Sequence, residues 1–355
     1  MQSHYSMGFF DNSSNKRIFL NPVALDYSFI PKLVPYRENQ QHYIASCIKP
    51  LFNDRNGRNL FIYGKPGIGK TVATIHVLNE LEEKSDIIPI YINCWKKNTA
   101  HKIILDICDK IGYKFTLNKS TDELLKTATG ILNKGSCAIC LDECDKLDSY
   151  DIVYYLLDNV YKKTILLITN EKLWIDRLDS RIKSRLNPET IEFKPYNYEE
   201  TLGILKQRAE YAFNSNAFNK EAMELIAKKT FELQDLRTGI YLLKESGDIA
   251  EFKNKDKIEL NDAEESIIKL ENFMIKDKKD LNDDLNEVLE IIKSNDGKNS
   301  RDLFEIYGKD SYKTFQRKLI ELEKNKLISM KEVNFGANGK KNIVNYGSLR
   351  KLNNF

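Results

Sequence analysis

The sequence is short of histidine, has no long apolar run and carries almost no net charge for its 355 residues. Four histidines (His4, His42, His76 and His101) form no metal-ligand pattern. Six cysteines are present, three of them spaced Cys137-x-x-Cys140-x-x-x-Cys144. These three fall in an apolar strand whose alternate side chains face opposite ways, with no histidine nearby, so buried free thiols in a reducing compartment fit better than a metal site. No stretch is apolar enough to span a bilayer and the start has no signal-peptide core, so the expected location is cytoplasmic with no membrane partner. A formal net charge of +3 means that any polyanion must be met by a local basic patch. There are no internal repeats, and the length leaves room for two or three domains.

What is present begins with glycine. Residues 60–71 read as a short apolar run, then Gly64, Lys65, Pro66, Gly67, Ile68, Gly69, Lys70 and Thr71, with Val72 opening a helix. The spacing Gly-x-x-x-x-Gly-Lys-Thr is that of a P-loop. Phosphate oxygens need donors that approach without an intervening side chain, and glycines let backbone N–H groups turn inward ahead of a helix N-terminus. Residues 64–72 are therefore expected to bind a nucleoside triphosphate, Lys70 reaching the β- and γ-phosphates and Thr71 ligating Mg²⁺.

Around this loop, apolar strands are expected at 60–63, 87–93, 136–141, 164–169 and 191–193, alternating with helices at 72–81, 99–111 and 121–132. That alternation predicts an α/β nucleotide-binding domain over 21–195 with a parallel five-stranded sheet, preceded by a flexible arm over 1–20. A capping box at Asn197 and Glu200 opens purely helical periodicity, which predicts a small all-helical lid over 196–278. Residues 279–355 read as three helices, the second capped by Ser300, and a glycine-tipped hairpin: a winged helix-turn-helix domain.

Ligands bind at the carboxyl ends of parallel strands, where four candidate residues fall. Asp142 and Glu143 close a buried strand in the Walker B pattern, Asp142 to hold through water the Mg²⁺ that Thr71 ligates, and Glu143 as the group that polarises the attacking water. Asn170 ends the next strand and is placed to orient that water. Arg185 or Arg181 is the candidate cation for the γ-phosphate, of the same or a neighbouring subunit, and Arg237 the candidate on the lid. The segment ahead of the loop, with Tyr36 and Arg37, is the candidate lining of the base pocket. In the winged helix, Lys313, Thr314, Arg317 and Lys318 lie opposite the apolar stripe of the third helix, with Lys340 and Lys341 in the wing, a local basic excess suited to duplex DNA. A winged helix used for protein contacts is the bland alternative.

Taken in order, these parts resemble the archaeal initiators related to the origin recognition complex and the cell-division-cycle helicase loader, within the AAA+ ATPases. The resemblance runs from about Asn21 to the end. It rests on Tyr36-Arg-Glu38, the P-loop, Asp142-Glu-Cys-Asp145, Thr169-Asn170, Ser184-Arg-Leu186, Phe193-Lys-Pro-Tyr196 and Asp235-Leu-Arg237. It implies sensor roles for Asn170 and Arg237, an arginine finger at Arg185, and ATP or ADP as the nucleotide. It further implies slow ATP hydrolysis as a switch, binding to double-stranded origin DNA, recruitment of the replicative helicase and paralogous initiator subunits as partners in a nucleoid-associated cytoplasmic protein. Gln234 and Leu236 depart from the small residues usual in the family, and the wing carries Lys340 and Lys341 instead of an arginine. The competing expectation is a signalling P-loop ATPase whose winged helix holds the molecule shut.

Overall fold

The computed structural model describes residues 18–276, 283–324, 327–334 and 340–346. Its first helix, α1 (Glu38–Ile48), gives way to a 3₁₀ turn at Pro50 and leads to strand β1 (Leu60–Tyr63). The P-loop follows and opens α2 (Lys70–Lys84). Then come β2 (Ile88–Asn93), α3 (Ala100–Lys110), α4 (Thr121–Leu132), β3 (Cys137–Asp142), α5 (Asp151–Asn159), β4 (Lys163–Thr169), α6 (Ser180–Leu186) and β5 (Glu189–Glu192). The strands form one parallel sheet in the order β2-β3-β4-β1-β5. The alternation of strand and helix is thus as expected, while neither α5 nor α6 has a counterpart in the sequence reading. The first of these is nine residues long and rich in tyrosine, and buries Ile152, Val153, Leu156 and Leu157 only once the sheet is there to receive them.

Alternate side chains supply the two faces of the sheet. Ile90, Ile92, Ile139, Leu141, Ile165 and Leu167 pack under α3 to α6, whereas Leu60, Ile62, Cys140, Leu166 and Ile168 pack under α1 and α2. All six residues of β3 are buried, so the strand that carries Asp142 is central and rigid. All six cysteines are buried free thiols.

The lid comprises α7 (Tyr198–Ala212), α8 (Lys220–Leu233), α9 (Leu236–Phe252) and the start of α10 (Leu260–Lys276). The capping box forms as expected: Asn197 Oδ1 accepts from Glu200 N, and Glu200 Oε2 accepts from Asn197 N. Residues 18–20, the end of the segment read as a flexible arm, are tied to this lid. Ile18 N donates to Glu251 Oε1 (2.8 Å), Leu20 N donates to Ala212 O (2.8 Å), and Phe19 packs on Phe213. Met1 to Arg17 lie outside the described residues.

The chain divides into two compact units at Ile267, within α10 rather than at the expected 278/279 boundary, and the lid falls in the first unit with the sheet. In the second, α11 (Asp283–Ser294), α12 (Ser300–Tyr307) and α13 (Tyr312–Lys324) bury Leu285, Val288, Ile292, Leu303, Phe315 and Leu319 against an antiparallel hairpin of β6 (Ile328–Asn334) and β7 (Lys340–Tyr346). This is a winged helix. The cap of α12 is Asn299, one residue earlier than expected, whose side chain accepts from Arg301 N and Asp302 N.

Candidate functional site

Gly67 and Gly69 stand at φ of 72° and 87°, the left-handed region that side-chain-bearing residues avoid. A Cβ at Gly67 would lie 1.9 Å from Asp235 Oδ1, so the loop and the lid approach too closely for any other residue. Lys70 begins α2 and is buried; its Nζ donates to Gly64 O and Lys65 O (2.7 Å each) and to Asn170 Oδ1 (2.9 Å). Burial lowers its pKa to about 8; Asp142 opposes the shift and Arg237 adds to it. Thr71 Oγ1 donates to Asp142 Oδ2 (2.7 Å), and Glu143 N donates to Asp142 Oδ1 (2.9 Å). Glu143 has left-handed backbone (φ 54°), and burial together with the Asp142 charge raises its carboxyl pKa while Arg237 pulls the other way. A carboxylate with a raised pKa is the better base toward water.

From the lid, α9 closes the cleft. Asp235 caps it by accepting from Arg237 N, Leu236 N donates to Gly67 O (3.2 Å), and the exposed Arg237 lines the cleft opposite Glu143 and Lys70. Gln234 accepts a hydrogen bond from Lys65 Nζ at 2.6 Å, so the residue that departs from the family's small one is occupied by the P-loop.

Two expectations are corrected here. Tyr36 and Arg37 do not line the cleft. Arg37 is buried beneath it, donating to Ile68 O (Nη2, 3.0 Å) and Lys194 O (2.7 Å) with its guanidinium 3.7 Å over the Tyr196 ring, so it fastens the loop from behind. Tyr36 is exposed at φ 64° and packs on Gly203. The apolar wall comes instead from earlier in the same segment, Tyr27, Phe29 and Val34, facing Tyr196, Ile204 and Ile240. Arg208 of α7 pins that wall through Ala24 O (3.0 Å) and Phe29 O (3.4 Å). An aromatic and proline-rich lead-in was the only sequence signal available for these residues. Arg185 also lies outside the cleft: its Nη2 pairs with Asp158 Oδ1 at 3.2 Å, and its guanidinium sits over Tyr154. Arg181 is paired with Asp179.

The cleft fits a nucleotide with a divalent cation. The Lys70 ammonium rests on main-chain carbonyls where phosphate oxygens would serve, Gly67 and Gly69 leave room for backbone donors, and Thr71 and Asp142 converge as hard oxygen ligands of the kind Mg²⁺ takes.

On α13, Lys313 and Arg317 are exposed, opposite buried Phe315 and Leu319. Thr314 is half-buried, with its N–H and hydroxyl engaged by Ser311 Oγ at the helix start. Lys318 departs from the expectation of a solvent-facing contact: its Nζ donates to Tyr307 Oη and Asp310 Oδ2 (2.7 Å each), which raises its pKa and turns it inward. Lys340 and Lys341 open β7, and their side chains lie outside the described residues.

A P-loop with a Walker B pair and a helical lid that presents an arginine to the cleft defines an AAA+ ATPase. Residues 53–174 match the AAA domain and residues 202–267 match the Cdc6 AAA+ ATPase-type lid domain. The chain is 35% identical over 269 residues to ORC1-type DNA replication protein 1 of Sulfolobus acidocaldarius, which spans 72% of this chain and 68% of that protein. It is 31% identical over 287 residues to the protein of the same name from Archaeoglobus fulgidus, spanning 76% of this chain and 70% of that one. Aeropyrum pernix ORC1, solved in complex with DNA, has the same fold, with a TM-score of 0.67 at 23% identity over 93% of this chain and 94% of that one. Cdc6p from Pyrobaculum aerophilum gives 0.66 at 18% identity over 93% and 95%. The chain belongs to the ORC1-type DNA replication proteins of archaea, the Orc1/Cdc6 initiators. That membership sets aside the signalling alternative.

Proposed function

We propose that this protein is an ATP-regulated replication initiator that binds duplex origin DNA through its winged helix and helps to recruit or load the replicative helicase. Slow hydrolysis acts as its switch. The observation that carries this is the closure of the cleft by α9, with Arg237 on one side and Lys70 and Glu143 on the other, so that the occupant of the cleft sets the position of the lid.

Lys70 and the loop N–H groups would hold the phosphates, Thr71 and Asp142 would hold Mg²⁺, and Asn170 would orient a water from which Glu143 takes the proton. Bound magnesium nucleotide supplies the electrophilic phosphorus and neutralises its charge. Arg185, or Arg181, serves a neighbouring paralogous subunit, because neither reaches its own cleft. Lys313 and Arg317 present charge to the duplex, as the DNA-bound relative from Aeropyrum pernix encourages. A protein that acts on chromosomal DNA in this way is expected in the nucleoid-associated cytoplasm.

The test is capture. Sheared genomic DNA from the same organism is incubated with protein and ATP, and what remains bound at moderate salt is sequenced. A few discrete intergenic sites with a shared element are expected; uniform weak recovery rejects the origin-binding reading.

A further inference from the structure

Asp142 has a third donor that belongs to neither nucleotide motif. The hydroxyl of Tyr91 donates to Asp142 Oδ2 at 2.8 Å, the same oxygen that accepts from Thr71 at 2.7 Å. Tyr91 sits on β2 in register with Cys140 of β3, so its side chain shares the sheet face of Cys140 and Asp142. Its ring packs against the core under α1 and α2, which holds the hydroxyl beside the carboxylate. With Glu143 N on Oδ1, both carboxylate oxygens of Asp142 are held, and its rotation is fixed from three directions.

We propose that Tyr91 is a positioning residue for the divalent cation: it fixes the Asp142 carboxylate in the orientation that, with Thr71, receives the metal. Such outer partners set both the direction and the basicity of a ligand, and their loss costs about 10- to 100-fold in metal affinity. A phenol, with an ordinary pKa of about 10, is a hydrogen-bond donor at neutral pH. Thr71 cannot replace it, because its oxygen would itself be a ligand to the metal. Tyr91 lies 51 residues before Asp142, and no motif spacing points to it.

The inference rests on the cleft holding nucleotide with Mg²⁺, and the experiment separates the two. Full-length protein is titrated with Mn²⁺ in the presence of ADP, with bound metal read by electron paramagnetic resonance, and with a fluorescent ADP analogue in EDTA. Tyr91→Phe removes one oxygen and keeps the ring. It is expected to weaken Mn²⁺ binding about tenfold while leaving nucleotide affinity in EDTA unchanged. In an Asp142→Asn background the same change is expected to add nothing, since the carboxylate it orients is gone. Unchanged Mn²⁺ affinity in Tyr91→Phe overturns the proposal. So does an equal loss with and without metal, which is what a packing role produces. Absence of Mn²⁺ binding in the wild-type ADP complex overturns the metal reading and this proposal with it, whereas absence of ADP-analogue binding in EDTA overturns the nucleotide reading.

Discussion

The nucleotide cleft and the winged helix use charge in opposite ways. At the cleft, Lys70 and Asp142 are buried and already held, Lys70 by three oxygens and Asp142 by three donors, and beneath it Arg37 is held by main-chain carbonyls. On α13, Lys313 and Arg317 stand in water and make no ion pair among the described residues. Buried, prearranged charge suits a ligand of fixed shape, because reorganisation is completed on folding. Exposed charge suits a long polyanion met by counterion release, where the number of contacts matters more than their exact placement. Lys318 shows the boundary between the two: it has the sequence of a DNA contact and the surroundings of a structural one.

This contrast can be broken at its ends. The largest effect is expected from Glu143→Gln, which keeps the shape of the site and removes its base. Single-turnover hydrolysis should fall on the order of 10²- to 10⁴-fold with nucleotide affinity retained, and retained hydrolysis removes Glu143 from that role. Lys70→Ala should weaken ATP binding roughly a hundredfold, measured by calorimetric titration, since a charge-assisted contact in a dry site is lost.

Protonation sharpens the same point. Burial holds the Lys70 pKa at about 8, below its ordinary 10.5, and the charge of a bound phosphate raises it. Below pH 8 affinity should be flat. Above pH 8 binding must take up a proton, so affinity should fall by up to about tenfold per pH unit. A flat profile on both sides of pH 8 contradicts the buried-ammonium account.

On the other side of the comparison, Lys313→Ala with Arg317→Ala should lower the slope of log affinity for DNA against log salt by about 1.8, two phosphate contacts' worth, leaving ATP binding unchanged. The smallest effect on DNA is expected from Lys318→Met. Affinity should change by less than about twofold, while thermal unfolding reports roughly 1–2 kcal/mol of lost stability from the broken Tyr307–Asp310 network. The reverse pattern returns Lys318 to the DNA face.

How much of this was legible follows from how local each feature is. The P-loop, Asp142, Glu143 and Asn170 were readable because each sits at a strand end and its chemistry is written in consecutive residues. Arg237 was readable as a residue, whereas its place opposite Glu143 depends on the packing of α9 against Gly67. The wall of Tyr27 and Phe29 was hidden because Arg208, some 180 residues on, holds it in position. Tyr36 and Arg37 were misread for a related reason: proximity to the loop in sequence put Arg37 behind it in space. Lys318 satisfied helical periodicity for an outward face, but Tyr307 and Asp310 lie within its reach on the preceding helix and turn.

The central claim is that a nucleotide in the buried site governs a sequence-specific hold on DNA. It is tested most directly by titrating one captured site and a scrambled duplex of equal length with the protein in ATP and in ADP at a single moderate salt concentration. The account predicts that the captured site binds about 10³-fold or more tighter than the scrambled one, and that exchanging ATP for ADP changes the hold on the captured site. Equal affinity for both duplexes, indifferent to the nucleotide, would contradict it.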